Sequence, residues 1–224
     1  MTPTWQSRWL GTVRYGEALE LQKAAVEERR AGRSGDAMWL LEHPPVVTLG
    51  RSARPENLRT PASALQARGI ELHEVARGGD VTYHGPGQLV GYLVADLAAR
   101  GAPDVTAWLR GIEAALIDAL DGLGVPARRI AGMTGVFVAD PDAAAAAAPR
   151  KIASIGVGLR GWVTYHGFAL NATMDLSGFD DIVPCGLQDV AMTSVAQERG
   201  EAPTRELFDA CRRCVEAAFE AWLG

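Results

Sequence analysis

Lys151 and Cys185 are the two residues of this sequence whose chemistry most directly suggests catalysis. Of the 22 lysines and arginines only two are lysines, Lys23 and Lys151. A lysine can release its proton when burial or a neighbouring group lowers its pKa, whereas an arginine stays charged. A cysteine attacks as the thiolate, which a nearby cation favours. The pair therefore indicates covalent acyl transfer, although a surface lysine and a small buried cysteine are the ordinary alternatives.

The cysteine lies in the segment DIVPCGL, residues 181 to 187. Pro184 before it and Gly186 after it predict a turn, which would expose the sulfur and bring backbone N–H groups beside it. Such N–H groups commonly stabilise the oxyanion of acyl transfer. We therefore expect a nucleophile and an oxyanion site on this turn.

A glycine-rich segment, RGGDVTYHGPGQLVGY at residues 77 to 92, could bring backbone N–H groups close to a ligand. It contains neither a P-loop nor a dinucleotide-binding motif. Its triplet Tyr-His-Gly at residues 83 to 85 recurs at residues 165 to 167, within KIASIGVGLRGWVTYHGFALN, which begins at Lys151. Two such triplets could place two imidazoles around one cleft. The alternatives are a tight turn between strands and two histidines that end strands by coincidence.

The elements that must position these residues alternate between strand and helix. Asp104 is suited to cap a helix whose apolar face carries Trp108, Ile112, Leu116 and Leu120. Short turns between the runs after residue 135 favour antiparallel pairing. We predict one α/β (α+β) domain over residues 1–224, with a mixed, partly antiparallel central sheet flanked by helices. Strands are predicted at 5–13, 37–43, 45–50, 70–76, 89–95, 135–139, 151–159 and 162–170, and helices at 15–31, 104–123 and 203–223.

Composition excludes several classes of function. The net charge of −5 gives no support to binding of nucleic acid or an anionic membrane. No apolar run is long enough to span a bilayer, and the first residues lack the features of a signal peptide. Three cysteines and four histidines show no metal-ligand spacing, and Cys211 and Cys214 fall on an apolar helix stripe. We therefore expect a cytoplasmic protein without a metal.

The glycine-rich segment, the lysine segment and FDDIVPCGL, in this order, resemble octanoyltransferases of lipoate biosynthesis, the LipB family. The resemblance extends from about residue 51 to residue 194, although the alanine-rich stretch 143–148 looks longer than is usual in the family. It implies the fold of biotin and lipoate protein ligases and no cofactor. It also implies octanoyl transfer from acyl carrier protein through a Cys185 thioester, with Lys151 as acid and base. The substrate contacts that it implies are Arg77, Gly78, Gly79, Asp80, Val81, Thr82, Tyr83, His84, Ser154, Ile155, Gly156, Gly167, Phe168 and Ala169, with no separate role for Asp80.

The resemblance also implies the partners. The donor is octanoyl-acyl carrier protein, and the acceptors are lipoyl domains of 2-oxoacid dehydrogenase E2 subunits and the glycine cleavage H protein. Because such partners are generally acidic and this chain is acidic too, docking would need a local basic face. Two sets of arginines could form it, or could simply be solvated surface: Arg51, Arg54 and Arg59, or Arg128, Arg129 and Arg150.

Three other functions stay open at this stage. An ATP-dependent lipoate or biotin ligase on the same fold would need no nucleophilic cysteine. A non-catalytic protein that binds lipoyl domains or acyl groups would use Cys185 only for packing. A cysteine thioesterase would share the acyl-enzyme but would use water as the acceptor. The consumption of ATP, the effect of Cys185→Ala and the identity of the acceptor separate them.

Overall fold

A computed structural model of the chain describes residues 5–139, 148–184 and 190–224. Cys185 and residues 143–147 of the alanine-rich stretch lie outside these ranges. The predicted mixed α/β architecture is confirmed. The strands are β1 (Trp5–Thr12), β2 (Asp36–Glu42), β3 (Val46–Leu49), β4 (Glu71–Glu74), β5 (Val81–His84), β6 (Gln88–Val94), β7 (Ala127–Arg128), β8 (Val136–Val138), β9 (Arg150–Arg160), β10 (Val163–Asn171) and β11 (Ala191–Met192). The helices are α1 (Tyr15–Arg30), α2 (Ala62–Ala67), α3 (Val105–Asp121), α4 (Val195–Arg199) and α5 (Arg205–Leu223), with 3₁₀ turns at Pro55–Asn57 and Leu176–Asp181.

The larger sheet has the strand order β1-β2-β6-β10-β9-β8-β7. The long hairpin of β9 and β10 is antiparallel, as are its pairings with β8 and β6, in agreement with the prediction. β1 pairs with β2 in parallel, so the sheet is mixed. β11 pairs in parallel with the first two residues of β9, where Met192 lies opposite Lys151.

A second sheet of three strands, in the order β4-β3-β5, was not anticipated from the sequence. Its strand β5 lies inside the segment interpreted as a glycine-rich loop. The residues Val-Thr-Tyr-His are β-branched or aromatic and suit a strand. The strand was not recognised in the sequence because it has only four residues and glycines lie close to both of its ends. Val81 and Tyr83 pack there with Phe179 and Ile182 in a separate apolar cluster. The glycine-rich segment is therefore a turn that leads into a strand, not one continuous loop.

The helices bury the stripes that the sequence predicts. The Asp104 side chain caps α3 by accepting hydrogen bonds from the amides of Thr106 and Ala107. The face of α3 with Trp108, Ile112, Leu116 and Leu120 is buried in the main core, where α3 packs on α5. Each such side chain contributes about 1.5–3 kcal/mol to the free energy of unfolding.

The expectation that the Cys211 pair packs rather than reacts is confirmed for Cys211. Its side chain is fully buried on α5, and burial raises the pKa of its thiol to about 12. A thiol with so high a pKa is a poor nucleophile at neutral pH. None of the helices in the described part of the chain is both long enough and apolar enough to cross a membrane.

Candidate active site

A cavity of about 50 Å³ lies where the β9–β10 hairpin meets the turn before β5. Among the described residues, its wall includes eleven of the fourteen predicted substrate contacts. It also includes the histidines of both Tyr-His-Gly triplets, His84 and His166. Gly78, Val81 and Tyr83 are not part of this wall. The lining residues are Tyr15, Arg77, Gly79, Asp80, Thr82, His84, Val90, Tyr92, Ser154, Ile155, Gly156, His166, Gly167, Phe168 and Ala169.

Two glycines of the hairpin allow the wall to close. A Cβ on Gly156 would lie 2.9 Å from the carbonyl oxygen of Gly78, and the Gly78 amide donates to Val157 O at 2.9 Å. A Cβ on Gly167 would lie 2.3 Å from the carbonyl oxygen of Gly91 on the neighbouring strand. The absence of side chains at these positions therefore lets the Arg77–Gly78 turn rest directly on β9 and lets β6 approach β10.

Arg77 supplies a buried positive charge to the wall. Its side chain is 8% exposed, and Nη2 donates to both the carbonyl and the hydroxyl oxygen of Thr48 at 2.8 Å. Its charge opposes protonation of the nearby histidines and favours ionisation of Tyr15. A fixed cation in a site of low polarity is suited to hold a carbonyl or an anionic group.

A tyrosine–histidine cluster at the cavity was missed by the sequence analysis. Nδ1 of His43 lies 2.6 Å from the carbonyl oxygen of Val13, and its Nε2 lies 2.6 Å from the hydroxyl of Tyr92. The carbonyl must accept, so Nδ1 carries the proton and Nε2 accepts from Tyr92. The ring of Tyr15 lies 5.2 Å from that of His43 and is nearly parallel to that of His84. Tyr15 begins α1 and His43 follows β2, whereas His84 and Tyr92 belong to the glycine-rich segment, so no single motif joins all four.

The cluster is neutral near pH 7. Burial lowers the pKa of His43 to about 4 and the pKa values of His84 and His166 to about 3. Burial also raises the pKa of Tyr15 to about 12. The cavity therefore presents hydrogen-bonding groups and the Arg77 charge, but no histidine with a pKa suited to take up a proton at neutral pH.

His166 is held in an unusual backbone conformation. Its φ is 58°, and its amide donates to Oε1 of the buried Gln22 on α1 at 2.7 Å. Its Nε2 is buried and has no hydrogen-bond partner among the described residues. A non-glycine residue in this region costs about 1–3 kcal/mol and is typical of a functional site. His166 and His84 line the same cavity, which is the arrangement that the repeated Tyr-His-Gly triplet could produce.

Lys151 is buried, so the ordinary alternative of a surface lysine does not apply. Its side chain is 2% exposed, Nζ donates to the carbonyl of Thr134 at 3.0 Å, and Nζ lies 5.6 Å from the centroid of the Phe137 ring. It precedes the cavity residue Ser154 by three positions on β9. The lysine and the cavity therefore share one strand.

The segment that contains Cys185 is anchored on both sides by described residues. Before it, the amide of Val183 donates to Asn57 O at 2.8 Å. After it, the amide of Thr193 donates to Lys151 O at 3.0 Å. The two anchors place the chain entering this segment beside the cavity turn and the chain leaving it beside the buried lysine.

Asp80 connects the anchor at Asn57 to the cavity turn, and Asp181 holds the chain before Cys185 to Arg68. Oδ2 of Asp80 accepts from the Asn57 side chain at 2.6 Å, while its Oδ1 accepts from the Val81 amide at 2.7 Å. Asp181 accepts from both terminal nitrogens of Arg68 at 2.8 and 2.6 Å, and this pairing lowers the pKa of Asp181. Asp80 thus has a structural role that the sequence did not indicate.

No group of three or more histidine, cysteine, aspartate or glutamate residues is arranged to bind a metal within residues 5–139, 148–184 and 190–224. The described part of the cavity wall consists of one guanidinium, neutral polar rings, the hydroxyls of Thr82 and Ser154, glycine backbone and apolar side chains, beside the single carboxyl of Asp80. Such a wall suits an acyl compound with a polar carbonyl end.

Comparisons with known proteins agree with this chemistry. Residues 14–218 match the family described as the lipoyl protein ligase A/B catalytic domain. An octanoyltransferase of Acidobacterium capsulatum is 46% identical over 200 residues, which cover 87% of this chain and 80% of that protein. An octanoyltransferase of Solibacter usitatus is 49% identical over 180 residues, or 80% of this chain and 77% of that protein.

The fold is shared with a solved ligase. The crystal structure of a lipoate-protein ligase A bound with ATP superposes with a TM-score of 0.70 at 18% identity, over 97% of this chain and 85% of that chain. At so low an identity this likeness speaks for the fold alone. The two octanoyltransferases have more than twice that identity to this chain, which identifies the branch of the family. The chain therefore belongs to the lipoyl protein ligase A/B family, on its octanoyltransferase branch, and is an acyltransferase.

Proposed function

We propose that this enzyme transfers an octanoyl group from octanoyl-acyl carrier protein to a specific lysine of a lipoyl domain, through a thioester on Cys185. One observation carries the mechanism. The buried Lys151 lies on the strand that supplies Ser154 to the cavity, and its backbone is bonded to the strand that follows Cys185. The acceptors are lipoyl domains of 2-oxoacid dehydrogenase E2 subunits and of the glycine cleavage H protein, and all of residues 1–224 form one catalytic domain.

In the first half-reaction the Cys185 thiolate attacks the carbonyl carbon of the octanoyl thioester. The ammonium of Lys151 favours the thiolate by charge pairing. The tetrahedral oxyanion is held by backbone N–H groups, and collapse breaks the bond to the pantetheine sulfur. That sulfur takes a proton from Nζ of Lys151 and leaves as a thiol. The products are the octanoyl thioester of Cys185 and a neutral Lys151.

In the second half-reaction the amine of the acceptor lysine attacks the thioester. The incoming ammonium loses two protons in forming the amide, one to the neutral Lys151 and one to solvent. The bond to the Cys185 sulfur breaks, and the thiolate is regenerated. Because the thioester is already activated, the cycle needs no ATP, which distinguishes it from a ligase on the same fold.

The cavity supplies suitable groups for this chemistry. Val90, Ile155, Phe168 and Ala169 offer an apolar surface for the acyl chain, while Arg77 offers a cation for its carbonyl end. The predicted contacts at residues 77–84, 154–156 and 167–169 are thus proposed to bind the octanoyl group and its thioester.

The contacts favour the first of the two arginine sets as the docking face for the donor. Arg51, Arg54 and Arg59 are exposed and form no ion pair with any described residue. Their amides donate to Arg77 O, Asp80 Oδ1 and Asp181 O, so they lie on both the cavity turn and the approach to Cys185.

In the second set two of the three arginines, Arg129 and Arg150, already form ion pairs. Arg129 donates to Glu113 and Arg150 donates to Glu198, each at 3.0 Å. An arginine already neutralised by a carboxylate offers little charge to an acidic partner. We therefore assign the docking face for an acidic donor to Arg51, Arg54 and Arg59.

The test is a transfer assay with octanoyl-acyl carrier protein and an apo-lipoyl domain in the absence of ATP. We expect the acceptor lysine to gain one octanoyl group with the wild-type enzyme and none with Cys185→Ser. Transfer that requires ATP would favour the ligase, and release of free octanoate without acceptor modification would favour the thioesterase.

A further inference from the structure

A chain of buried hydrogen bonds connects the cavity to the strand beside Lys151. The Thr193 amide donates to Lys151 O at 3.0 Å, and Nδ2 of Asn171 donates to Thr193 O at 2.8 Å. Nε2 of Gln88 donates to Oδ1 of Asn171 at 2.9 Å, and Oε1 of Gln88 lies 2.7 Å from Nδ1 of His84. Gln88 and Asn171 are each 1% exposed and are opposite one another on β6 and β10. The octanoyl transfer proposed above uses neither of them.

Backbone carbonyls fix the direction of every bond in this chain. Thr193 O can only accept, so Asn171 must turn its NH₂ group towards it and its Oδ1 towards Gln88. Oδ1 also can only accept, so Gln88 must present Nε2 there. That nitrogen lies 3.3 Å from Tyr83 O as well, a second carbonyl that needs a donor. Oε1 of Gln88 is then the atom that faces His84.

The direction of the chain determines the tautomer of His84. Because Oε1 of Gln88 accepts, Nδ1 of His84 must carry the proton, and a neutral imidazole then has a bare Nε2. His84 lines the cavity, and Nε2 has no hydrogen-bond partner among the residues of the described ranges. Burial lowers the pKa of His84 to about 3, so this nitrogen is a hydrogen-bond acceptor rather than a base at neutral pH.

We propose that Gln88 and Asn171 are positioning residues that hold His84 as the Nδ1–H tautomer, so that its Nε2 accepts a hydrogen bond from an N–H group of the substrate. The inference rests on the proposed function for the identity of that substrate. Two N–H groups reach the site in octanoyl transfer: the amine of the acceptor lysine and the amides of the pantetheine arm on the donor. Either presents the same chemistry to Nε2.

The tautomer can be tested without any substrate. In a long-range ¹H–¹⁵N spectrum of the full-length, ¹⁵N-labelled enzyme, a bare imidazole nitrogen is separated from a protonated one by its ¹⁵N shift. We expect His84, assigned by comparison with His84→Gln, to show a bare Nε2 and a protonated Nδ1 at pH 7. A protonated Nε2 would overturn the inference even if the enzyme transfers octanoyl groups.

Two variants of similar shape then test the positioning. Gln88→Met removes all three hydrogen bonds of the amide, whereas Asn171→Leu leaves Gln88 bonded to Tyr83 O and to His84. We expect Gln88→Met to lose the single tautomer of His84 and Asn171→Leu to lose it only in part. Thr164→Val is the matched control, because it removes two buried hydrogen bonds, the one that the Thr164 hydroxyl donates to Leu93 O and the one that it accepts from the Ala95 amide. Thr164 lies on the same strand as Asn171 but away from His84.

The two half-reactions identify the N–H group. Slower discharge of the octanoyl-enzyme to the lipoyl domain, with unchanged formation of the adduct, assigns Nε2 to the acceptor amine. Slower formation of the adduct from octanoyl-acyl carrier protein assigns it to the pantetheine arm. For Gln88→Met we expect a roughly two- to tenfold decrease in one of the two rate constants, the factor typical of one neutral hydrogen bond.

The failures are distinguishable. If Gln88→Met disturbs the tautomer but slows neither half-reaction more than Thr164→Val does, the positioning role is wrong although the enzyme is an octanoyltransferase. If the wild-type enzyme forms no octanoyl adduct, the proposed function fails, while the spectrum of His84 still decides the tautomer. If Gln88→Met does not fold, the wild-type spectrum still tests the tautomer of His84, and Asn171→Leu tests the positioning role.

Discussion

The amide of Thr193 is hydrogen-bonded to the carbonyl oxygen of Lys151 at 3.0 Å. Thr193 comes directly after the short strand β11, which begins six residues after Cys185 and pairs with the strand of the buried Lys151. Lys151 and Cys185 are far apart in the sequence. The pairing of β11 with β9 brings the segment that follows Cys185 beside Lys151. The relationship makes the lysine the first residue to test.

Replacing Lys151 by arginine should nearly abolish transfer. Arginine keeps the positive charge, but it cannot give a proton to the leaving sulfur or take one from the acceptor. We expect a decrease of about 10²–10⁴-fold in kcat, the range typical of general acid–base catalysis. Lys23→Arg is the control, since Lys23 is exposed on α1. An active Lys151→Arg enzyme would show that the lysine acts by charge alone.

Exchanging Gly167 for alanine should destabilise the fold at the cavity. The new Cβ would lie 2.3 Å from the backbone oxygen of Gly91, so two paired strands would have to separate. We expect the free energy of unfolding to fall by about 1–3 kcal/mol, measured by chemical denaturation.

The matched control for this exchange is Gly122→Ala at the end of α3. Gly122 has a φ of −60°, and a Cβ there would meet its nearest neighbour at an ordinary 3.5 Å. Alanine at such a position is expected to be neutral or to stabilise by about 0.4–1 kcal/mol. Equal effects of the two exchanges would contradict the close approach of β6 and β10.

The buried histidines should make the fold sensitive to mild acid. Burial lowers the pKa of His43 to about 4 and those of His84 and His166 to about 3, below the ordinary value of 6.5. Between pH 6.5 and about 4 the unfolded chain therefore binds more protons than the folded one. Stability is full above pH 6.5 and is lost as the pH falls, by at most about 1.4 kcal/mol per pH unit for each histidine.

Denaturant titrations at pH 7, 6 and 5 measure this slope. His166→Asn should make it shallower, because one buried neutral imidazole is removed. Thr164→Val should leave it unchanged, because it removes buried hydrogen bonds without removing a titratable group. A slope that neither exchange alters would show that other groups cause the acid sensitivity.

Reversing the charge at Arg54 should weaken the use of the donor. Arg54 is exposed and unpaired among the described residues, and its amide is bonded to Asp80 at the cavity turn. We expect Arg54→Glu to raise the KM for octanoyl-acyl carrier protein and to flatten its dependence on salt. Arg33→Glu changes the net charge equally but lies beyond α1, where Arg33 is paired with Glu28. The same change in KM for both variants would place the docking face elsewhere.

The parts of the fold that depend on local chemistry could be predicted from the sequence. The cap at Asp104, the stripe of α3 and the hairpin of β9 and β10 follow from side-chain type and period. The second sheet could not be predicted, because β5 has only four residues between glycines. Its pairing with β3 depends on contacts between segments about 35 residues apart.

The site divides in the same way. Residues in motifs, such as Arg77 and Ser154, were predicted to contact the substrate together. In the structure both line the same cavity. Tyr15 and His43 were missed, because helix α1 and the end of β2 reach the cavity only through tertiary packing. The role of Gln88 was hidden for another reason: a glutamine in a motif does not reveal which way its amide points, and only the bonded carbonyls fix that direction.

The most direct test of the central proposal is the mass of the intact enzyme after mixing with octanoyl-acyl carrier protein. We predict one octanoyl group on the wild-type chain, none on Cys185→Ser, and loss of the adduct when an apo-lipoyl domain is added. Cys211→Ser should carry the adduct like the wild type, because Cys211 is buried in the core. If the Cys185→Ser variant modified the lipoyl domain at the wild-type rate, covalent transfer through Cys185 would be contradicted.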